Sequence, residues 1–499
     1  MLPDTATIVQ IEQFHALYQA FKPTWELIDI FREGAKAVEE NLFRFFPKRP
    51  GEDTLTYNLR LSKHSYTPIL SKIVRSFVAK LMNAPITLSG IDPEDQFWSA
   101  VLNDIDGNGS DQDALLTKVF SSLLYFGKVG IGVDTAEVAA QPRSLAEDPN
   151  VPPRVIVYEA SNIVQWGTKW YLTKQYNDIN EPLQPNRRVV TYTFWMPNET
   201  VAYSAEVTTG LDGLINTVLV DGQRYDPAKA QMNARRLVHN LGRPTFEVAT
   251  IEPELCLGMQ LYGKQRQHLI IESSWTDAGS IAGTVQRLFT PEKQQVADDP
   301  RTIHKDKPDT PDFGNARVLI GDDFRFVEAT GGAVGNLTAQ LDKIEAQVAS
   351  VVSLGYEGNQ GANQSAAAKE VDQAILNDTM RRYGRAVRSP YQRTLQTIAD
   401  LSGRRETVQV NGLDTFNVSS LDGMVTLGNN LLPLMDDIPP TALRIWFGKL
   451  CDMLAGLPSP DDANAIQDEL ANRFDAGALD PNNPEDVAAV KAAFGLGAG

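Results

Sequence analysis

"GAVGNLTAQLDKIEAQVASVVSLGYEGNQGANQSAAAKE" spans residues 332–370 and joins two unlike halves. In the first half Val334, Leu337, Leu341, Ile344, Val348 and Val351 recur at spacings of 3, 4, 3, 4 and 3. That is a narrow apolar seam, suited to a helix lying along another helix. In the second half, from Ser353 to Glu370, Gly, Asn, Gln and Ser collect where a short turn would suffice to join two helices. Helical spacing resumes at Ala366 and runs to Leu401 through Val371, Ile375, Met380, Tyr383 and Val387. Pro390 is expected to kink this helix. Within it, "RRYGRAVRSPYQR" (381–393) carries five Arg and no acid. Arg381, Arg385 and Arg388 fall on one stripe, away from Met380, Tyr383, Val387 and Tyr391.

Upstream lies a further helical stretch, "IEPELCLGMQLYGKQRQHLIIESSW" (251–275), expected to start at Pro253 and to carry its apolar residues at 255, 259, 262, 269 and 271. Between it and the seam sit a polar, Pro-containing segment (290–315) and "ARVLIGDDFRFVEA" (316–329). The latter alternates on both sides of Gly-Asp-Asp and reads as a β-hairpin. Two helices therefore bracket a small β-containing module. An intramolecular helix pair accounts for the seam in the simplest way.

Nearer the N-terminus, residues 11–46 read as helical with an interruption at Pro23. Ile69, Ile73, Phe77 and Leu81, flanked by Val74 and Val78, predict a helix that stops at Asn83-Ala84-Pro85. Residues 111–126 predict another, ending at Gly127. From 128 to 250 the period changes to two, in "KVGIGVD", "RVIVYEA", "VVTYTFWM", "ETVAYSAEV" and "NTVLVDG". The expectation is a mostly antiparallel sheet region after an all-helical start, hence an α+β chain. Near the other end, "IPPTALRIWFGKLCDMLAGL" (438–457) reads as an amphipathic helix.

The 499 residues are 42% hydrophobic and 22% charged, ordinary for a folded protein of roughly three domains. No run reaches the ~18 apolar residues that cross a bilayer, and the first residues lack the basic start of a secretory signal. Cys256 and Cys451 sit in apolar helical patterns and read as buried free thiols of a reducing compartment. The net charge is −17, opposite to the basic face of a sequence-reading nucleic-acid binder. Residues 404–499 alone hold 14 Asp/Glu against 6 Lys/Arg.

Catalytic chemistry finds little support. The histidines at 15, 64, 239, 268 and 304 are widely separated, with none at metal-ligand spacing. "GKVGIG" (127–132) has the wrong order for a phosphate loop and reads as a strand with glycine gaps. No nucleophile elbow is present. Asp298-Asp299 and Asp322-Asp323 sit beside turns, where Asp bonds its own backbone. No metal, no cofactor and no enzymatic activity are expected.

The order of these elements, with "LTYNLRLSKHSYTPILSKIVRSFVAKLMNAPI" and "SLLYFGKVGIGVD" as local wording, resembles the portal (head-to-tail connector) proteins of tailed double-stranded DNA bacteriophages over roughly 50–455. The resemblance implies a ring, usually dodecameric, around a DNA channel at the capsid vertex of the virion. It would be assembled in the host cytoplasm, without membrane, for genome packaging and ejection. Residues 1–252 would form the wing, 253–282 the first stem helix, 283–330 the clip and 331–354 the second stem helix. Residues 355–368 would be the tunnel loop, 369–403 the long Arg-rich helix and 404–499 an acidic crown. Implied partners are further copies of the chain, double-stranded DNA in transit, the terminase large subunit, the major capsid protein or a scaffold, and a neck or adaptor protein.

On this reading Gly358, Asn359, Gln360, Gly361, Asn363, Gln364 and Ser365 face the DNA channel. Their lack of Lys and Arg fits a loop that touches DNA without holding it, because each neutralised phosphate adds affinity. A plain exposed inter-helix loop is the alternative. Leu337, Leu341, Ile344 and Val348, with Arg381, Arg385 and Arg388, are expected at a subunit interface, with DNA the alternative target of the Arg stripe. Another virion structural protein, such as a tail or baseplate component, and a cytosolic multidomain enzyme are the rival readings of the whole chain.

Overall fold

The structure, a computed structural model, describes residues 2–84, 86–92, 95–134, 153–178, 187–209, 215–220, 223–282, 332–352 and 366–413. The chain divides into two compact units, Met1–Phe416 and Asn417–Gly499. The second unit lies outside the described residues, as do the expected hairpin at 316–329, His304, Cys451 and the linker at 353–365.

The first unit opens with a short strand, β1 (Thr5–Thr7), followed by helices α1 (Ile8–Ile11), α2 (Ala16–Glu33), α3 (Ala35–Glu40) and α4 (Leu42–Phe45). The expected interruption at Pro23 does not occur, and α2 runs through it. Proline removes one helical hydrogen bond at a cost of about 3 kcal/mol. Tyr18, Trp25, Ile28 and Phe31 are buried on both sides of it, each contributing about 1.5–3 kcal/mol. Burial wins. The break comes at Gly34, whose φ of +96° ends α2.

After α5 (Thr54–Ser62), α6 (Ile69–Met82) buries Ile73, Val74, Phe77, Val78 and Leu81, as its spacing predicts, with Leu70 buried in place of the half-buried Ile69. It stops at Asn83, as Asn83-Ala84-Pro85 predicts. Strand β2 (Ile86–Ser89) and α7 (Gln96–Asn103) lead to α8 (Gln112–Phe126). Asp111 caps α8 by accepting the Ala114 amide at 2.8 Å, and Gly127 closes it in the left-handed region at φ 73°. Nine residues of α8, Leu115 to Phe126, are buried, so it is the central helix, packed by α6, by the next strands and by a later helix.

The strand region comprises β3 (Lys128–Asp134), β4 (Arg154–Glu159), β5 (Ile163–Trp166), β6 (Tyr171–Asp178), β7 (Arg187–Trp195), β8 (Glu199–Thr209), β9 (Ile215–Val220), β10 (Gln223–Tyr225), β11 (Gln231–Val238) and β12 (Phe246–Thr250). Helices α9 (Leu257–Ala282), α10 (Gly332–Val352) and α11 (Ala366–Leu401) and strand β13 (Gln409–Gly412) complete the unit. The fold is mixed helix and sheet, and the described pairings are antiparallel.

One sheet has the order β1-β11-β8-β7-β6-β5. Strand β8 gives residues 199–203 to β11 and 206–209 to β9 on one edge, while β7 runs along the other. A smaller sheet has the order β12-β3-β4, and β13 pairs with β2. The start of the chain is therefore not all helical. Thr5 pairs with Asn233 and Ile86 with Gly412, strands too short to show a period of two.

The glycines of "GKVGIG" join the two larger sheets. Tyr158 on β4, Ile163 on β5, Trp195 on β7 and Phe246 on β12 form one buried cluster. A Cβ at Gly130 would lie 2.2 Å from the Phe246 ring, and one at Gly132 2.8 Å from Trp195. The strand is bare so that the rings can lie against it.

Candidate assembly surface

Helix α9 starts later than its sequence suggests. Pro253 to Leu255 form a turn, with the Leu255 amide donating to the Glu252 carbonyl at 2.9 Å, and the helix begins at Leu257. Its first turn presses on the end of α8, where a Cβ at Gly258 would be 1.9 Å from the Tyr125 carbonyl oxygen. Cys256 is buried there, and burial pushes its thiol up to about 11, which keeps it unreactive.

The buried face of α9 also differs from the apolar count. Leu255, Met259, Tyr262 and Ile271 are half-buried, whereas Leu257, Leu261, Gln265, His268, Leu269 and Ser273 are buried. Half of that face is polar, and it is hydrogen-bonded to the segment before α6. Glu272 accepts from the Ser65 hydroxyl at 2.9 Å, the Thr67 hydroxyl at 2.9 Å and the Thr67 amide at 3.1 Å. Burial would raise this carboxyl, but the bonds from its neighbours outweigh it and hold Glu272 below the usual range. The Ser273 hydroxyl accepts the Ser65 amide at 3.1 Å, and Lys63 pairs with Asp277 at 2.5 Å. Gln265, His268 and Glu272 recur at spacings of 3 and 4, a polar seam that was legible beside the apolar one.

Helix α10 lies antiparallel on α9. Lys264 donates to Gln347 at 2.6 Å, His268 Nε2 is 3.7 Å from Glu345, and the Trp275 indole donates to the Thr338 hydroxyl at 3.1 Å. Residue numbers rise along one helix as they fall along the other. Ile344 and Val348 are 5% and 6% exposed in the single chain. Leu337 and Leu341 are half-buried. Of the seam expected between subunits, Ile344 and Val348 are thus already consumed within the chain, because the second helix folds back onto the first.

Helix α11 is unbroken from Ala366 to Leu401 and contains Pro390. Met380, Tyr383, Val387 and Tyr391 are fully buried, against the smaller sheet and β13. Tyr383 donates its hydroxyl to the Leu255 carbonyl, which ties α11 to the start of α9. On the other side Arg381 and Arg385 are exposed, as the stripe predicts. Arg388 departs from it. It is half-buried, and its Nε donates to the Val410 carbonyl of β13 at 2.8 Å, satisfying a strand edge of its own chain. Arg382 pairs with Asp378 at 3.0 Å and Arg393 with Glu247 at 3.1 Å. Gly358, Asn359, Gln360, Gly361, Asn363, Gln364 and Ser365 lie outside the described residues.

Among the described residues no three His, Cys, Asp or Glu side chains gather as a metal site, and no helix is long and apolar enough to cross a membrane. What the geometry offers is surface: an antiparallel helix pair with a polar seam, and a long helix with outward Arg381, Arg382, Arg385 and Arg393, of which Arg382 pairs with Asp378 and Arg393 with Glu247.

No family model and no curated protein sequence matches the chain. Among solved structures it is similar to a chain of the virion of a native gene transfer agent (GTA) particle, at 10% identity and a TM-score of 0.36, over 84% of this chain and 94% of that one. It is also similar to a chain of the neck of an empty GTA particle computed with C6 symmetry, at 10% identity and a TM-score of 0.35, over 81% and 90%. Likeness of this degree assigns neither a family nor an activity.

Proposed function

We propose that this chain is a portal-type connector subunit, which assembles with further copies into a ring through which double-stranded DNA enters and leaves a virus-like capsid. The observation that carries the reading is the antiparallel pairing of α9 and α10 around residues 283–331. A stem of two antiparallel helices that projects a clip between them is what the element order implies. The β8-centred sheet supplies the wing, α11 the long helix beyond the tunnel loop, and the acidic residues after 404 the crown. The clip is the docking place of the terminase large subunit and later of a neck or adaptor protein. The rest of the ring meets the major capsid protein or a scaffold. The work of packaging comes from the terminase, since the chain carries no nucleotide-binding motif.

The test is negative-stain electron microscopy of the purified full chain, with light scattering for mass. Rings with a central hole, of dodecameric mass, support the reading. An oligomer without a hole, or a monomer that stays so when co-expressed with its capsid protein, overturns it.

A further inference from the structure

We propose that the outer face of α5, centred on Leu55 and Leu59, is a docking surface for a second copy of this chain. The two leucines are one turn apart and therefore share a face. They are 71% and 52% exposed. Helix α5 buries no residue, although Thr56, Tyr57, Arg60 and Leu61 face partly inward. Phe43, on the preceding helix, is a further 61% exposed.

The helix is nevertheless held firmly. Asp53 caps it by accepting the Thr56 amide at 3.0 Å. The Tyr57 hydroxyl donates to the Phe46 carbonyl at 2.9 Å, and Arg60 donates to the Pro47 carbonyl at 3.0 Å. Leucines displayed on a helix fixed in this way mark a surface that another molecule covers.

Charge indicates which molecule. Glu52 is spent on Arg60, at 2.8 Å, and Asp53 on the cap. Lys48 and Arg49 stay outward, with Lys48 Nζ 3.3 Å from the hydroxyl of Thr54, the neighbour of Leu55. Of the eight Lys/Arg in residues 43–84, Arg44 pairs with Glu26, Arg60 with Glu52 and Lys63 with Asp277, so Lys48 and Arg49 form the basic fringe beside the leucines, in a chain of net charge −17. An apolar face with a basic fringe fits a partner of opposite charge, and a second copy, at net charge −17, is such a partner. DNA would satisfy the lysine and arginine but leave the leucines uncovered. A basic face meeting a different, acidic face is a heterologous contact, the kind that closes into rings. The proposal concerns self-association of any geometry and is separable from the connector reading.

The experiment is sedimentation velocity of the full chain against concentration and salt, with Leu55→Ser/Leu59→Ser and Lys48→Glu/Arg49→Glu as variants. Both pairs are at the surface, and unchanged melting checks their folding. Each pair is expected to weaken association about tenfold or more, and wild-type association should weaken as salt rises. Variants that associate like wild type overturn the proposal, as does a wild type that stays monomeric throughout. So does loss of a DNA gel shift in Lys48→Glu/Arg49→Glu with association unchanged, which would assign the face to nucleic acid. Wild-type oligomers that lack a central hole, and that both variants abolish, keep the face and overturn the ring.

Discussion

Gln265 on α9 caps α6, with its Oε1 accepting the Leu70 amide at 2.9 Å and its Nε2 donating to the Thr67 carbonyl at 2.9 Å. The first amides of a helix have no partner within it. Pro68, at the cap of α6, has no side-chain acceptor to offer. A side chain 195 residues away does the work instead. Gln265→Leu keeps the volume and orphans the buried Leu70 amide, at about 1–3 kcal/mol, whereas the Thr67 carbonyl keeps the Ile69 amide at 2.9 Å. Urea denaturation of the variant should show a lowered midpoint. An unchanged midpoint would mean that water can reach the Leu70 amide.

Gly130→Ala places a methyl group 2.2 Å from the Phe246 ring. Overpacking of this kind costs about 1–3 kcal/mol. The expected result is a lower melting temperature together with altered tryptophan fluorescence, since Trp195 stacks on Phe246 at 5.2 Å. Adding Phe246→Leu should recover part of the loss, because it removes the ring the methyl group meets. No recovery would locate the strain elsewhere.

Burial lowers Lys128 from 10.5 to about 8, while the Trp166 ring, 3.3 Å from its Nζ, favours the charged form. Below about 8 the folded and unfolded chains both keep the proton. Between about 8 and 10.5 the unfolded chain holds a proton that the folded chain has released. The Lys128 contribution therefore makes stability rise with pH across that window. Lys128→Met should remove this slope in chemical denaturation from pH 8 to 10. Parallel pH profiles for the two proteins would exclude the shift.

Arg381→Glu with Arg385→Glu changes two exposed side chains. It should leave the monomer's melting within about 0.5 kcal/mol of wild type and weaken assembly measured by light scattering. Arg388→Ala should do the opposite, destabilising the monomer by orphaning the Val410 carbonyl. Normal assembly by the double variant would remove Arg381 and Arg385 from the interface.

Replacement of Asn359, Gln360, Asn363 and Gln364 by Ala is expected to leave assembly intact and to impair packaging or retention of DNA. Packaging assays with the quadruple variant decide it, and wild-type DNA content in the particles would end the channel-loop assignment.

Local pattern alone was enough for α6 and α8, whose apolar periodicity and end signals lie within a few residues of one another, and for the extent of α11, although that helix runs unbroken through Pro390. Asn83 and Gly127 mark the ends of α6 and α8 as the structure has them. Of the arginine stripe on α11, Arg381 and Arg385 are exposed as expected, whereas Arg388 turns to β13. β1 and β2 were not visible, because strands of three and four residues exist only through partners more than 200 residues away.

The sequence by itself determined the periodic elements, the acidic balance and the glycine gaps of β3, each a property of neighbouring residues. Tertiary structure alone decided what those elements meet. It turned Gln265 into a cap and Arg388 into a strand partner, and it gave Ile344 and Val348 to the chain's own helix pair. The reason is physical. Periodicity records that a face is buried or exposed, whereas the identity of its partner depends on hydrogen bonds and packing between segments that only the folded chain brings together.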